Sequence, residues 1–119
     1  MSYRFYNANS RGKFVNDCQI RAISTAEGKT WDETYGELSI IAQRNGIVLD
    51  DVNFIRPFLD SRYERIKVPK MTVGEFAEDY PEHVYLVTMQ GHITCIKYGV
   101  VIDTWDCRDR LVEFVWLVK

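Results

Sequence analysis

The chain has 119 residues, a hydrophobic share of 46%, a charged share of 27% and a formal net charge of −2. That length fits one domain, residues 1–119, with the balance of an ordinary globular protein. A domain that grips nucleic acid through a strong basic excess is excluded, and no apolar run reaches the length of a membrane span.

The start, Met1-Ser-Tyr-Arg-Phe-Tyr6, has no apolar stretch after Arg4, so it does not read as a signal peptide. A cytoplasmic location is expected. Cys18, Cys95 and Cys107 are an odd set, so a complete disulfide framework within one chain is impossible and free thiols are expected. Residues 6–13 are rich in turn formers and read as a loop. Asn16 and Asp17 are good N-cap residues, and Cys18 to Ala26 reads as a short helix closed by Gly28, with Ile20, Ile23 and Ala26 inward. Thr30 and Glu33 form a capping box for a second helix, in which Trp31, Tyr35, Leu38 and Ile41 or Ala42 recur at helical spacing. Residues 50–61 hold a poorer third helix, which Pro57 should start or kink. A fourth begins at Thr72, with a second capping box to Glu75, and stops before Pro81. The texture then turns to β-prone runs at 84–89, 92–97, 100–105 and 112–118, with a short edge strand around Ile66 to Val68. Helices first and antiparallel strands afterwards give an α+β fold, with N-terminal helices packed on a sheet of four to five strands.

Cys18 heads a helix, where unpaired backbone N–H groups and the helix dipole lower a thiol's pKa. Asp17 beside it works in the opposite direction. A nucleophilic thiol needs a base. His83 follows Pro81-Glu82 and reads as a turn residue; His92 opens a strand. If Tyr98-Gly99 is a two-residue turn, Lys97 pairs with Val100, Thr94 lies opposite Asp103 and His92 opposite Trp105. His92 and Asp103 are then diagonal neighbours on one face, with α-carbons roughly 7–8 Å apart. A carboxylate there orients the imidazole as the third member of a triad does. Asp106 is the rival, but parity places it on the other face. Zinc held by His92, Cys95, Cys107 and Cys18 is disfavoured, because there is no Cys-x-x-Cys pair and His92 and Cys95 fall on opposite strand faces. No Gly-rich phosphate loop is present. Trp31 and Trp105 are candidates for lining a cleft.

The order Cys18, His92, Asp103, with the cysteine on an early helix and the other two on adjacent strands, resembles the papain-like cysteine-hydrolase fold. Several stretches also resemble a group of small phage and bacterial papain-like proteins. These are Asn9-Ser-Arg-Gly-Lys13, Asn16-Asp-Cys-Gln-Ile-Arg-Ala-Ile-Ser24, Gly28-Lys-Thr-Trp-Asp-Glu-Thr-Tyr35, Thr72-Val-Gly-Glu-Phe-Ala77, and the stretch from Gly91-His92 through Ile102-Asp-Thr-Trp-Asp106. The resemblance implies a phage or prophage origin and a peptidase, amidase or transferase acting on an amide, peptide or isopeptide bond of a peptide or protein substrate, without a cofactor. Cys18 would attack, His92 would be base and then acid, and Asp103 would orient it. Papain-type enzymes usually place an oxyanion-binding Gln about six residues before the cysteine; here that position is Gly12, so the role falls to Asn9, Asn16 or another amide. The same resemblance allows a binding module without turnover that docks a host protein.

Overall fold

The computed structural model describes residues 2–49 and 51–119. Met1 and Asp50, the first residues of the expected N-terminal segment and third helix, lie outside the described residues. The chain runs β1 (Tyr3–Phe5), α1 (Cys18–Glu27), α2 (Trp31–Arg44), α3 (Val52–Arg62), β2 (Glu64–Ile66), α4 (Val73–Asp79), β3 (Val84–Met89), β4 (His92–Lys97), β5 (Val100–Asp103) and β6 (Phe114–Leu117). Within the described residues, four helices and a six-stranded open sheet, in the order β1-β5-β4-β3-β6-β2, make an α+β fold. Among the described residues no helix is long and apolar enough to cross a membrane.

The sheet is mixed, which corrects the expected antiparallel one of four to five strands. β1 runs parallel to β5, Tyr3 opposite Val101 and Phe5 opposite Asp103. Three residues are too few to display a period of two, so this edge carries no sequence signal. It is held by the Val101 N–H on the Ser2 carbonyl at 2.7 Å and the Tyr6 N–H on the Asp103 carbonyl at 2.9 Å. The other edge strand, β2, lies slightly earlier than expected and pairs with β6.

The local signals of the helices are present as hydrogen bonds. The Thr30 hydroxyl accepts from the Glu33 N–H at 3.1 Å, and the Glu33 carboxylate accepts from the Thr30 N–H at 3.0 Å. Thr72 and Glu75 repeat the pattern at the head of α4. The inward stripe of α2 is Thr34, Leu38 and Ala42 rather than one including Tyr35, which is exposed. Trp31 and Tyr35 pack on each other instead, with ring centroids 5.1 Å apart. Helix α3 runs through Pro57 without a break. Proline removes one backbone bond there, and the burial of Phe54, Phe58 and Leu59 offsets the loss.

Both faces of the sheet are covered. On one, Ile20, Ile23 and Ala26 of α1, Leu38 of α2 and Phe58 and Leu59 of α3 pack on Leu86, Ile93, Cys95 and Trp116. On the other, Val73, Phe76 and Ala77 of α4 pack on Tyr85, Val87, Ile96 and Val101. Burial on both faces explains why 84–89 reads as a continuous apolar run.

Candidate active site

Cys18 is the first residue of α1. Asp17 occupies the N-cap position but its carboxylate caps nothing. It is buried and faces inward, where it accepts from Asn9 Nδ2 at 3.2 Å, Trp31 Nε1 at 2.9 Å and Arg21 Nε at 2.7 Å. The negative charge expected to oppose a thiolate at Cys18 is therefore balanced by a guanidinium.

The β4–β5 hairpin has the register the sequence predicts: Lys97 opposite Val100, Ile96 opposite Val101 and Cys95 opposite Ile102. Tyr98 and Gly99 both take positive φ, 48° and 80°, the pattern of a type I′ turn, which matches the right-handed strand twist. This register puts Asp103 within reach of His92. The ring Nε2 lies 2.7 Å from Asp103 Oδ2, and His92 is the first residue of its strand. Asp103 Oδ1 accepts from Arg21 Nη1 at 2.9 Å and from the Thr104 N–H at 2.7 Å. Asp106 is exposed and tied to Arg108 at 2.7 Å, so it takes no part. His83 is exposed as well.

Cys18 and His92 line one cleft of about 220 Å³, floored by Leu49, Ile55, Met89 and Ile93. With Nε2 on Asp103, the imidazole's other nitrogen is left for the thiol. Burial pushes the Cys18 pKa up, but hydrogen bonds with the His92 ring and the Ile93 backbone, and the charges of His92 and Arg21, outweigh it and hold the thiol below its ordinary value. Burial lowers the His92 pKa, but the bonds to Asp103 and Cys18 raise it to about 9. Burial raises Asp103, yet its contacts with His92, Thr94 and the Thr104 N–H leave it below the usual carboxylate range. Both shifts favour the charged pair, a thiolate facing an imidazolium. Cys95 and Cys107 differ: burial pushes both thiols up to about 12.

Asn16 is exposed and lines the cleft beside Cys18. Asn9 is buried behind it, its amide N–H on Asp17 and its amide oxygen accepting from the Arg11 N–H at 2.9 Å. Trp31 is absent from the cleft lining and lines a neighbouring groove with Asp17 and Tyr35. Trp105, at the surface, sets its ring 4.9 Å from the His92 ring and covers it. Two residues escaped the sequence reading. Gln19 places its amide oxygen 3.7 Å from the Cys18 sulfur while its N–H bonds the Leu49 carbonyl at 3.3 Å. Arg21 reaches Asp17 and Asp103 together; its spacing from Asp17, one helical turn, was the available signal.

His92, Asp103 and Cys107 offer ligand atoms within 4.8 Å of one another. Both oxygens of Asp103 are already engaged, by Arg21 and by His92, so a cation there has to displace one of them. The arrangement suits proton transfer between imidazole and thiol. No family model matches the chain, and neither curated proteins nor solved structures give a significant match.

Proposed function

We propose that this chain is a papain-like cysteine hydrolase that cleaves or transfers an amide, peptide or isopeptide bond. The observation that carries the reading is the 2.7 Å contact between His92 Nε2 and Asp103 Oδ2 behind a cleft that also holds Cys18. The resemblance of its motifs to small phage and bacterial papain-like proteins supports the same reading and a phage origin. In the reaction, the Cys18 thiolate attacks the carbonyl carbon and a carbon–sulfur bond forms. The oxyanion is held by the Cys18 N–H at the head of α1 and by the Asn16 amide at the cleft. The carbon–nitrogen bond then breaks as the His92 imidazolium protonates the departing amine. Water, deprotonated by the neutral imidazole, releases the acyl group from sulfur; an amine in its place completes a transfer.

Iodoacetamide labelling at about pH 6 tests this, since the thiolate is the reactive form. Cys18 is expected to react well ahead of Cys95 and Cys107, and His92→Ala to remove that lead. Equal, slow labelling of all three would refute the reading. Cys18→Ser is expected to abolish amide-bond cleavage with the fold intact.

The rival reading, a module that docks a protein without turnover, draws on one observation. Gly12 stands where papain-type enzymes carry the oxyanion Gln, and the Asn9 amide is spent on Asp17. Fast labelling of Cys18 without sustained release of p-nitrophenolate from an activated ester would favour it.

A further inference from the structure

Behind the cleft, one side chain ties its two walls together. Arg21 sits one turn into α1 from Cys18, between two carboxylates. Its Nε meets Asp17 at 2.7 Å, and its Nη1 meets Asp103 at 2.9 Å and the Thr104 hydroxyl at 3.1 Å. The three side chains keep 12%, 5% and 2% of their exposure, so these charges are largely withdrawn from water. Asp17 precedes the thiol in the chain; Asp103 backs the imidazole. Among the described residues no other lysine or arginine pairs with either carboxylate.

A buried carboxylate without a partner is costly, and two of them beside a thiolate would raise the thiol's pKa. A planar guanidinium can serve two carboxylates in different directions, which a lysine's single ammonium does poorly. Resting on the cysteine-hydrolase reading, we propose that Arg21 is a positioning residue of the site. Its guanidinium joins the carboxylate beside the nucleophile to the one behind the base, holds thiol and imidazole in register, and keeps both carboxylates from opposing the thiolate.

Among the described residues the charged groups around Cys18 are few. His92 and, behind it, Asp103 face it from the sheet. Arg21 and Asp17 lie on its own helix, and Asp51, Arg56 and Glu113 stand across the cleft. Of the last three, Arg56 pairs with Glu113 at 3.7 Å and Asp51 caps α3 through the Asn53 N–H.

The test follows Cys18 labelling by iodoacetamide across the pH range in which thiols and imidazoles titrate, by mass spectrometry of the intact chain and its peptides. In folded Arg21→Gln the acid limb of the rate profile is expected to move up by about one pH unit or more. Asp17→Asn, which removes the opposing charge and keeps the cation, is expected to move it down. Arg21→Lys is expected between wild type and Arg21→Gln. A merely structural arginine would change the urea midpoint and leave the limb in place. An unmoved limb in folded Arg21→Gln overturns the proposal; if that variant does not fold, an unmoved limb in Asp17→Asn does so. Slow labelling of wild-type Cys18 overturns the hydrolase reading itself. A fast wild-type thiol with unmoved limbs overturns only the role of Arg21.

Discussion

Replacing Asp103 by Asn tests the site at its most buried charge, with almost no change of shape. An Asn has one acceptor oxygen. The Arg21 guanidinium and the Thr104 N–H, at 2.9 Å and 2.7 Å from Oδ1, both demand it. The amide N–H then faces His92 Nε2 across what was a 2.7 Å contact. Two donors cannot meet, so the imidazole must move its proton to Nδ1, toward Cys18, and in that tautomer it cannot take the thiol proton. The His92 pKa of about 9 stands against an ordinary 6.5, an elevation of about 3 kcal/mol. Burial works against that elevation, and without the carboxylate only the thiol supports it. We expect the His92 midpoint, followed by NMR titration of its ring protons, to fall below about 7 and Cys18 labelling at about pH 6 to slow by about two- to three-hundredfold, the factor that corresponds to that energy. A natively folded variant in which His92 titrates as in wild type, with labelling unaltered, refutes the reasoning.

Two further perturbations follow from the same structure. His92, raised in the fold, contributes stability that is full below 6.5 and lost as pH rises through about 9. Cys18, lowered in the fold, contributes stability that is full above 9.0 and lost as pH falls through its folded value. The two slopes oppose each other between those limits, so the urea midpoint of wild type should change little with pH there. Cys18→Ser removes one slope; His92, then raised by Asp103 alone, should lose stability as pH rises above about 6.5, over a window that ends below about 9, while an unchanged profile in that variant would refute the ion pair. Gly99→Ala puts a methyl group on a residue at φ +80°, 3.2 Å from the Ala77 carbonyl oxygen. We expect a cost of about 1 kcal/mol or more in urea or thermal unfolding, and a fully neutral result would contradict the turn geometry.

Much of this arrangement is written locally in the chain. The two capping boxes are contiguous motifs, and each appears as a reciprocal pair of hydrogen bonds. The Tyr98-Gly99 turn fixes the hairpin register, and register alone decides that Asp103 rather than Asp106 meets His92. What could not be read depends on contacts between distant segments. β1 is too short to show its periodicity, and its parallel partner is set by where the chain returns. Trp31 looks like a cleft residue by type, but its indole N–H is drawn inward by a carboxylate fourteen positions earlier in the chain. The same pull takes the Asn9 amide away from the cleft. In each case a buried charge at Asp17 reorganises its neighbours, and the sequence does not say that this residue is buried rather than capping its helix.

The meeting of thiol and imidazole is a consequence of the core. Cys18 is the first residue of α1, and Ile20 and Ile23 follow it inward; His92 is the first residue of β4, and Ile93 and Cys95 follow it inward. All four inward residues belong to one apolar cluster. Burying four such side chains, at about 1.5–3 kcal/mol each, stabilises by more than the ~3 kcal/mol that raises His92. Packing therefore brings the two reactive groups together, and their mutual attraction then sets protonation rather than position. It follows that loss of the sulfur leaves the helix seated on the sheet. A cavity at Ile23, fully buried and outside the cleft lining, is expected to slow Cys18 labelling as well as to weaken the fold.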